Sequence, residues 1–183
     1  RLVGYHWLGG EAIFGIPISV SVSFIFLFVL FGSILDAAGG GKYFLNLAFA
    51  LVGKMRGGPA KAAILASGLT GMISGSSVAN TVTTGTFTIP IMKKTGLPPV
   101  KAGAVEVAAS VNGQIMPPIM GAAAFVMAEL LGISYLTVVT HAFLPAVISY
   151  IALFYISHLE ALKLDIKGSV SYTHLTLPTI SCV

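Results

Sequence analysis

Apolar residues run in long blocks along this chain, and the polar residues between them decide how each block reads. A spanning helix needs about 20 mainly apolar residues, because the hydrocarbon core is roughly 30 Å thick and a helix rises about 1.5 Å per residue. Residues 12–36 meet that length with no charge before Asp36, and Pro17 lies in the first turns, where proline is tolerated. Gly39, Gly40 and Gly41 then interrupt the pattern. Residues 42–57 have too short an apolar core to span and are flanked by Lys42, Lys54 and Arg56, which predicts an interfacial arm helix along the headgroups. A kinked short span is the alternative.

Residues 62–92 carry no charge over 31 positions. A single helix of that length would measure about 46 Å, far more than a span needs. Its middle is crowded with Gly, Ser, Thr and Asn, which suits lipid poorly. Two arms meeting near Ser74–Ser77 fit better, giving a re-entrant hairpin over 60–93 whose tip must be buried in protein or line a wet cavity. Charge supports the same reading. Lys54, Arg56 and Lys61 precede the stretch, and Lys93, Lys94 and Lys101 follow it. A hairpin puts both clusters on one side, and the positive-inside rule makes that side cytoplasmic.

Residues 100–131 are long enough to span but hold Asn112-Gly113-Gln114-Ile115-Met116-Pro117-Pro118 at their centre. Two consecutive prolines remove two backbone donors and push Met116 and Pro117 out of helical geometry, so a broken helix is predicted. Residues 133–160 form a further span kinked at Pro145, and Lys163 and Lys167 return the chain to the cytoplasmic side. The N-terminus then lies outside. The chain opens on Arg1, and residues 1–11 read as a truncated lead-in. Residues 168–183 lack charge, helical period and spanning length, and are similar to a translated sequencing-adapter read; they are taken as a non-native tail, a short natural tail being the alternative.

Composition agrees with a bilayer. The chain is 56% hydrophobic and 9% charged, against about 25% charged in a typical soluble domain. The net charge of +4 is spread over short clusters beside apolar segments, which argues against a nucleic-acid face. Cys182 is the single cysteine, so no internal disulfide can form. The fold class expected is an all-α integral membrane protein with spanning helices, a re-entrant hairpin and a broken helix.

The chemistry is expected where helices end inside the membrane. Helix ends leave backbone donors or acceptors unpaired, and a bound ion or substrate can satisfy them. Ser74, Gly75, Ser76, Ser77 and Asn80 would supply neutral oxygens to a Na⁺ ion, with Gly113 on the facing break. Asn80, Asn112 and Gln114 could also bind a carboxylate through their amide donors. Small polar residues also serve simply to pack helices closely, and for Thr81, Thr83 and Thr86 that reading is favoured. His141 reads as a packed, hydrogen-bonded histidine, with proton relay as the functional alternative. Glu106 and Glu129 lie near span ends and read as interfacial. The lack of a mid-membrane carboxylate argues mildly for Na⁺ over H⁺. Gly39-Gly40-Gly41-Lys42 is not a phosphate loop. No serine has a base arranged beside it in sequence, so an enzyme is not expected.

The stretch Gly71-Met-Ile-Ser-Gly-Ser-Ser-Val-Ala-Asn80 resembles the large membrane subunit of tripartite ATP-independent periplasmic (TRAP) transporters. Val52-Gly-Lys-Met-Arg-Gly-Gly58, Ile89-Pro-Ile-Met-Lys-Lys-Thr-Gly96 and Gln114-Ile-Met-Pro-Pro118 support it in order, and the last, with Asn112-Gly113, is similar to fused permeases that pair with TAXI-type binding proteins. The resemblance implies an elevator mechanism in the cytoplasmic (inner) membrane of a bacterium or archaeon. Na⁺ entry would drive uptake of an organic acid delivered by an extracytoplasmic solute-binding protein, with a small membrane subunit or its fused equivalent as a further partner and no cofactor beyond the coupling ion. The family has two inverted repeats, and this chain would carry the first. Residues matching the family's ion-binding hairpin are Ser74 to Ser77 and Asn80; those matching its unwound helix run from Asn112 to Pro117, which adds Pro117 to the substrate side. A channel or a non-transporting membrane scaffold is the alternative function.

Overall fold

The computed structural model describes residues 15–166, together with Gly4. The segments 1–11 and 168–183 therefore lie essentially outside the described residues. The regular elements among those described are all helices, with no strand among them. An N-terminal rod comprises α1 (Ile16–Val20), a π-helical segment (Ser21–Ile25) and α2 (Phe26–Ala37). It is followed by α3 (Gly40–Val52), α4 (Gly58–Ser74), α5 (Ser77–Lys94), α6 (Pro99–Gly113), α7 (Ala122–Leu131) and α8 (Tyr135–Lys163).

Local sequence accounts for most helix boundaries. Gly39 and Gly57 take left-handed conformations at the starts of α3 and α4, with φ of 88° and 66°. Proline occupies the first turn of both α4 and α6, where its missing N–H costs nothing. Lys93 and Lys94 close α5, placing positive charge where the helix dipole is negative.

The centre of the fold is a three-helix core of α4, α5 and α6, in which α4 and α5 form the hairpin and α6 runs parallel to α4. Most side chains sealed inside it are small: Ala60, Ala62, Ala63, Ala66, Ala102 and Ala109 are buried, and Met92 is the largest apolar one with no exposed surface. Small residues let backbones approach, which is how helices pack where lipid supplies no hydrophobic drive. At the base, Ala60, Ala63, Met92, Leu97, Ala102, Ala161 and Ile166 join the open end of the hairpin to the end of α8. Ion pairs Arg56–Asp165 (3.7 Å) and Lys101–Glu160 tie the same end together.

Helix α3 packs along the hairpin. One face is buried on the first hairpin arm, where Ala48 packs with Ala62 and Ala66. Its 13 residues span about 20 Å, roughly the length of the arm beside it.

Among the described residues, two helical stretches are long and apolar enough to cross a bilayer, Ile18–Leu35 and Tyr135–Lys163. Both keep apolar side chains outside the core: Val22 and Phe26 are 70% and 64% exposed, and Leu136 and Leu144 are 71% and 66% exposed. Such faces suit lipid or a further protein layer and are costly in water.

Candidate functional site

The hairpin turns at Gly75. Helix α4 ends at Ser74, Gly75 adopts the left-handed conformation (φ 61°) and its N–H returns to the Gly71 carbonyl. Ser76 then opens α5, its hydroxyl accepting from the Ala79 N–H at 3.3 Å. The second break runs from Gln114 to Gly121. It begins in a tightened turn in which the N–H groups of Gln114, Ile115 and Met116 donate to carbonyls three residues back. It ends with the Gly121 N–H on the Gln114 carbonyl at 2.7 Å. Met120 is left-handed (φ 61°), uncommon for a residue with a side chain.

The two breaks meet. A Cβ on Gly75 would sit 2.5 Å from the Met120 carbonyl oxygen, and one on Gly121 would sit 3.1 Å from the Gly75 oxygen. One turn below, Gly71 and Gly113 touch backbone to backbone; a Cβ on Gly71 would lie 2.7 Å from Gly113 Cα. The close approach therefore requires glycine on both elements. Two helix C-termini (Ser74, Gly113) and two N-termini (Ser77, Ala122) converge here, so the ends of four helix dipoles lie close together. The rod passes close by, with Gly32 against Ile73 and Ser74.

The predicted site residues divide into two groups. Asn80 is buried at 2% exposure and its amide is engaged within the protein. Its Nδ2 donates to the Ser67 carbonyl (2.8 Å) and to Ser67 Oγ (2.9 Å), and its Oδ1 accepts from the Thr70 hydroxyl (2.6 Å). Ser67 Oγ in turn lies 3.1 Å from Ser110 Oγ on α6. This chain stitches both hairpin arms to α6. Ser74 Oγ, by contrast, is buried with no hydrogen-bond partner. Ser74, Ser76, Asn80, Thr70 and Thr83 line a cavity of about 470 Å³ between the hairpin tip and the rod. Asn112 and Gln114 are half-buried, and among the described residues neither side chain makes a hydrogen bond. Gly113 is the backbone contact of Gly71, and Pro117 lies within the break. Among the described residues no three His, Cys, Asp or Glu side chains cluster as metal ligands.

Several residues here had not been singled out from sequence. Tyr135, at the start of α8, donates its phenol to the Pro118 carbonyl (3.1 Å) and contacts the Ile119 carbonyl. Its ring stacks on Phe125 at 4.3 Å, and Phe125 meets Phe24 and Phe28 of the rod. Carbonyls freed by the break are thus capped from another helix. Ser67 and Ser110 were visible only as small polar residues in apolar helices.

Glu106 requires a correction. Expected at an interface, it is fully buried between α6 and α5, where the hydroxyls of Thr84 and Thr88 (2.5 Å) meet its two carboxyl oxygens. The premise that the interior holds no carboxylate fails with it. His141 faces out of the described core, its Nδ1 2.7 Å from the Thr137 carbonyl, and Glu129 is exposed.

Comparison with known proteins gives the same direction. Residues 5–178 match the family described as the DctM component of the tripartite ATP-independent periplasmic transporters, a range that runs into the stretch taken as a non-native tail. Over 134 residues, 73% of this chain, the sequence is 34% identical to the uncharacterized protein YgiK of Salmonella typhimurium. It is 35% identical over 100 residues to a putative TRAP transporter large permease protein of Haemophilus influenzae. It is also 32% identical over 100 residues to the 2,3-diketo-L-gulonate TRAP transporter large permease protein YiaN of Escherichia coli. The aligned stretches cover 31%, 24% and 24% of those proteins, so the chain spans a third or less of the curated relatives it matches. With four helix ends gathered around two glycine contacts and the family match running over most of its length, this chain belongs to the DctM family of TRAP transporter large permease components.

Proposed function

We propose that this chain is the first of two inverted repeats of a TRAP large permease, and that the complete protein imports an organic acid coupled to Na⁺ entry. The observation that carries the proposal is the meeting of the hairpin tip with the broken helix at Gly75 and Met120–Gly121. Broken helices facing each other at mid-depth are how secondary transporters build ion and substrate sites. Ser74 Oγ, buried without a partner, fits as a Na⁺ ligand together with carbonyls at the end of α4. These are neutral hard oxygens, which suit a monovalent cation better than a transition metal. Asn112 and Gln114 offer amide donors to a carboxylate from the opposite face, beside Pro117. Asn80 supports both by holding the arms and α6 in register.

Two relatives are named for 2,3-diketo-L-gulonate and C4-dicarboxylate transport, which favours an organic acid as substrate. An extracytoplasmic binding protein of TAXI type and a small membrane subunit, separate or fused, are the partners of this reading. The inner membrane is its location, and movement of the hairpin unit relative to a scaffold is its mechanism.

The test is uptake into proteoliposomes by the complete permease with its binding protein, with and without a Na⁺ gradient. Gln114→Ala and Asn80→Ala should each reduce Na⁺-driven uptake. If both leave the rate and its Na⁺ dependence unchanged, the site assignment is wrong. Flux that proceeds without the binding protein and without saturation would point instead to a channel.

A further inference from the structure

The Glu106 cluster lies apart from the hairpin tip, is sealed inside the described fold, and has no part in the function proposed above. Glu106 has no exposed surface. It sits mid-way along α6, one turn from Ala102, with Gly85 of α5 giving it room; a Cβ there would meet Glu106 Cγ at 3.2 Å. The groups facing it can be named element by element. From α5 come the Thr84 and Thr88 hydroxyls. From α8 comes Tyr150, whose phenol donates to the Ala109 carbonyl at 2.9 Å. From α4, Ser67 is occupied with Ser110 and Asn80, while Lys61 turns away to His158 Nδ1 (3.0 Å) and the Phe154 ring. The nearest cation on α6 itself, Lys101, is paired with Glu160. Among the described residues, no Lys, Arg or His pairs with Glu106.

The hydroxyls that face the carboxyl group also face helix carbonyls. Thr84 Oγ1 faces the Asn80 carbonyl (2.7 Å) and one Glu106 oxygen; Thr88 Oγ1 faces the Thr84 carbonyl (3.0 Å) and the other Glu106 oxygen (2.5 Å). The two hydroxyl hydrogens can go to the carboxyl oxygens or to the helix carbonyls of Asn80 and Thr84, which already accept from backbone N–H groups. With a hydrogen on the carboxyl group, the acid donates to Thr84, which donates to the Asn80 carbonyl, while Thr88 donates to the second carboxyl oxygen. An ionised carboxylate would instead be a buried charge with no counter-charge, the costliest state for such a group.

We propose that Glu106 is a proton-binding site, held as the neutral acid while α5 is packed on α6 and releasing its proton to water only when the two helices part. The step breaks the carboxyl O–H bond, leaves the electron pair on oxygen and needs no co-reactant beyond water. The cluster makes the contact between the second hairpin arm and α6 sensitive to alkali. Above the midpoint, each further pH unit lowers the packed fraction about tenfold.

The experiment is infrared difference spectroscopy of the complete permease in lipid, wild type against Glu106→Gln, without Na⁺ or substrate, so its outcome is independent of the ion and substrate assignments above. The expected result is a protonated carboxylic acid C=O stretch at neutral pH that shifts in D₂O, is missing from Glu106→Gln and gives way to carboxylate bands as pH rises. Carboxylate bands alone at neutral pH would overturn the proposal. Should Glu106→Gln not assemble, Thr88→Val serves in its place: the acid band must shift in frequency, and an unchanged acid region counts against Glu106. In uptake assays, Glu106→Gln should keep its rate at alkaline pH where the wild type falls, and an identical alkaline limit in both proteins argues against the coupling to packing.

Discussion

Asn80 and Ser74 lie six residues apart yet are spent differently. Asn80 makes three side-chain hydrogen bonds inside the protein, and removing them would leave the Ser67 carbonyl and the Thr70 hydroxyl to find other partners. Asn80→Ala should therefore lower stability by about 1–3 kcal/mol and reduce uptake with it. Ser74 Oγ makes no bond to lose. Ser74→Ala should leave the thermal midpoint of the complete permease nearly unchanged. If Ser74 ligates the coupling ion, it should raise the Na⁺ concentration for half-maximal uptake by about tenfold. Measuring midpoint and Na⁺ dependence for both variants separates a packing residue from a ligand. A Ser74→Ala protein with unaltered Na⁺ dependence would remove that residue from the ion site. Sequence indicated that this region was polar, but not which polar group was already satisfied, since that depends on partners 10 to 13 positions back along the chain.

At the scale of elements, the hairpin and the broken helix work as one unit because each break is shaped by the other. Gly75 combines a left-handed backbone with a neighbour that leaves no room for a side chain. Gly75→Ala should thus be strained twice over, costing about 1–3 kcal/mol and abolishing most uptake, to be read by thermal unfolding alongside transport. Tyr135 acts on the same break from α8. Tyr135→Phe keeps the stack on Phe125 but withdraws the phenol from the Pro118 and Ile119 carbonyls. A loss of about 1–2 kcal/mol is expected, and an unchanged midpoint would show that water caps those carbonyls equally well. Both breaks were legible in the sequence: glycine at the tip and paired prolines in α6–α7 leave few alternatives to a helix end. The cap was not legible, because a tyrosine at the start of an apolar helix reads the same whether it meets lipid or a carbonyl.

For the whole molecule, the hairpin reading makes a topological demand. The start of α4 and the end of α5 share one end of the fold, joined by the apolar cluster that includes Ala60 and Met92. In a cysteine-free background of the complete permease, Lys54→Cys and Lys94→Cys should each react with a membrane-impermeant maleimide from the same side, the cytoplasm. Labelling from opposite sides would mean that residues 62–92 cross the membrane, against the hairpin reading. The exposed ion pair Arg56–Asp165 at this end is expected to contribute little to stability, as surface pairs usually do.

Hydropathy and backbone chemistry on their own pointed to a helical membrane chain with helix ends near Ser74–Ser77 and at Asn112–Pro118, while Pro90 and Pro145 lie inside continuous helices. Those properties are local: they depend on how many apolar residues follow one another and on which residues tolerate or forbid helical geometry. Only the tertiary structure decided that Gly71 meets Gly113, that Gly75 meets Met120, that Asn80 holds three helices together and that Glu106 is sealed between two threonines. A lone glutamate in an apolar helix carries the same sequence pattern at an interface or in a core. Its setting is fixed by the helix across from it, through the hydroxyls that α5 happens to present at Thr84 and Thr88 when it folds back from Gly75.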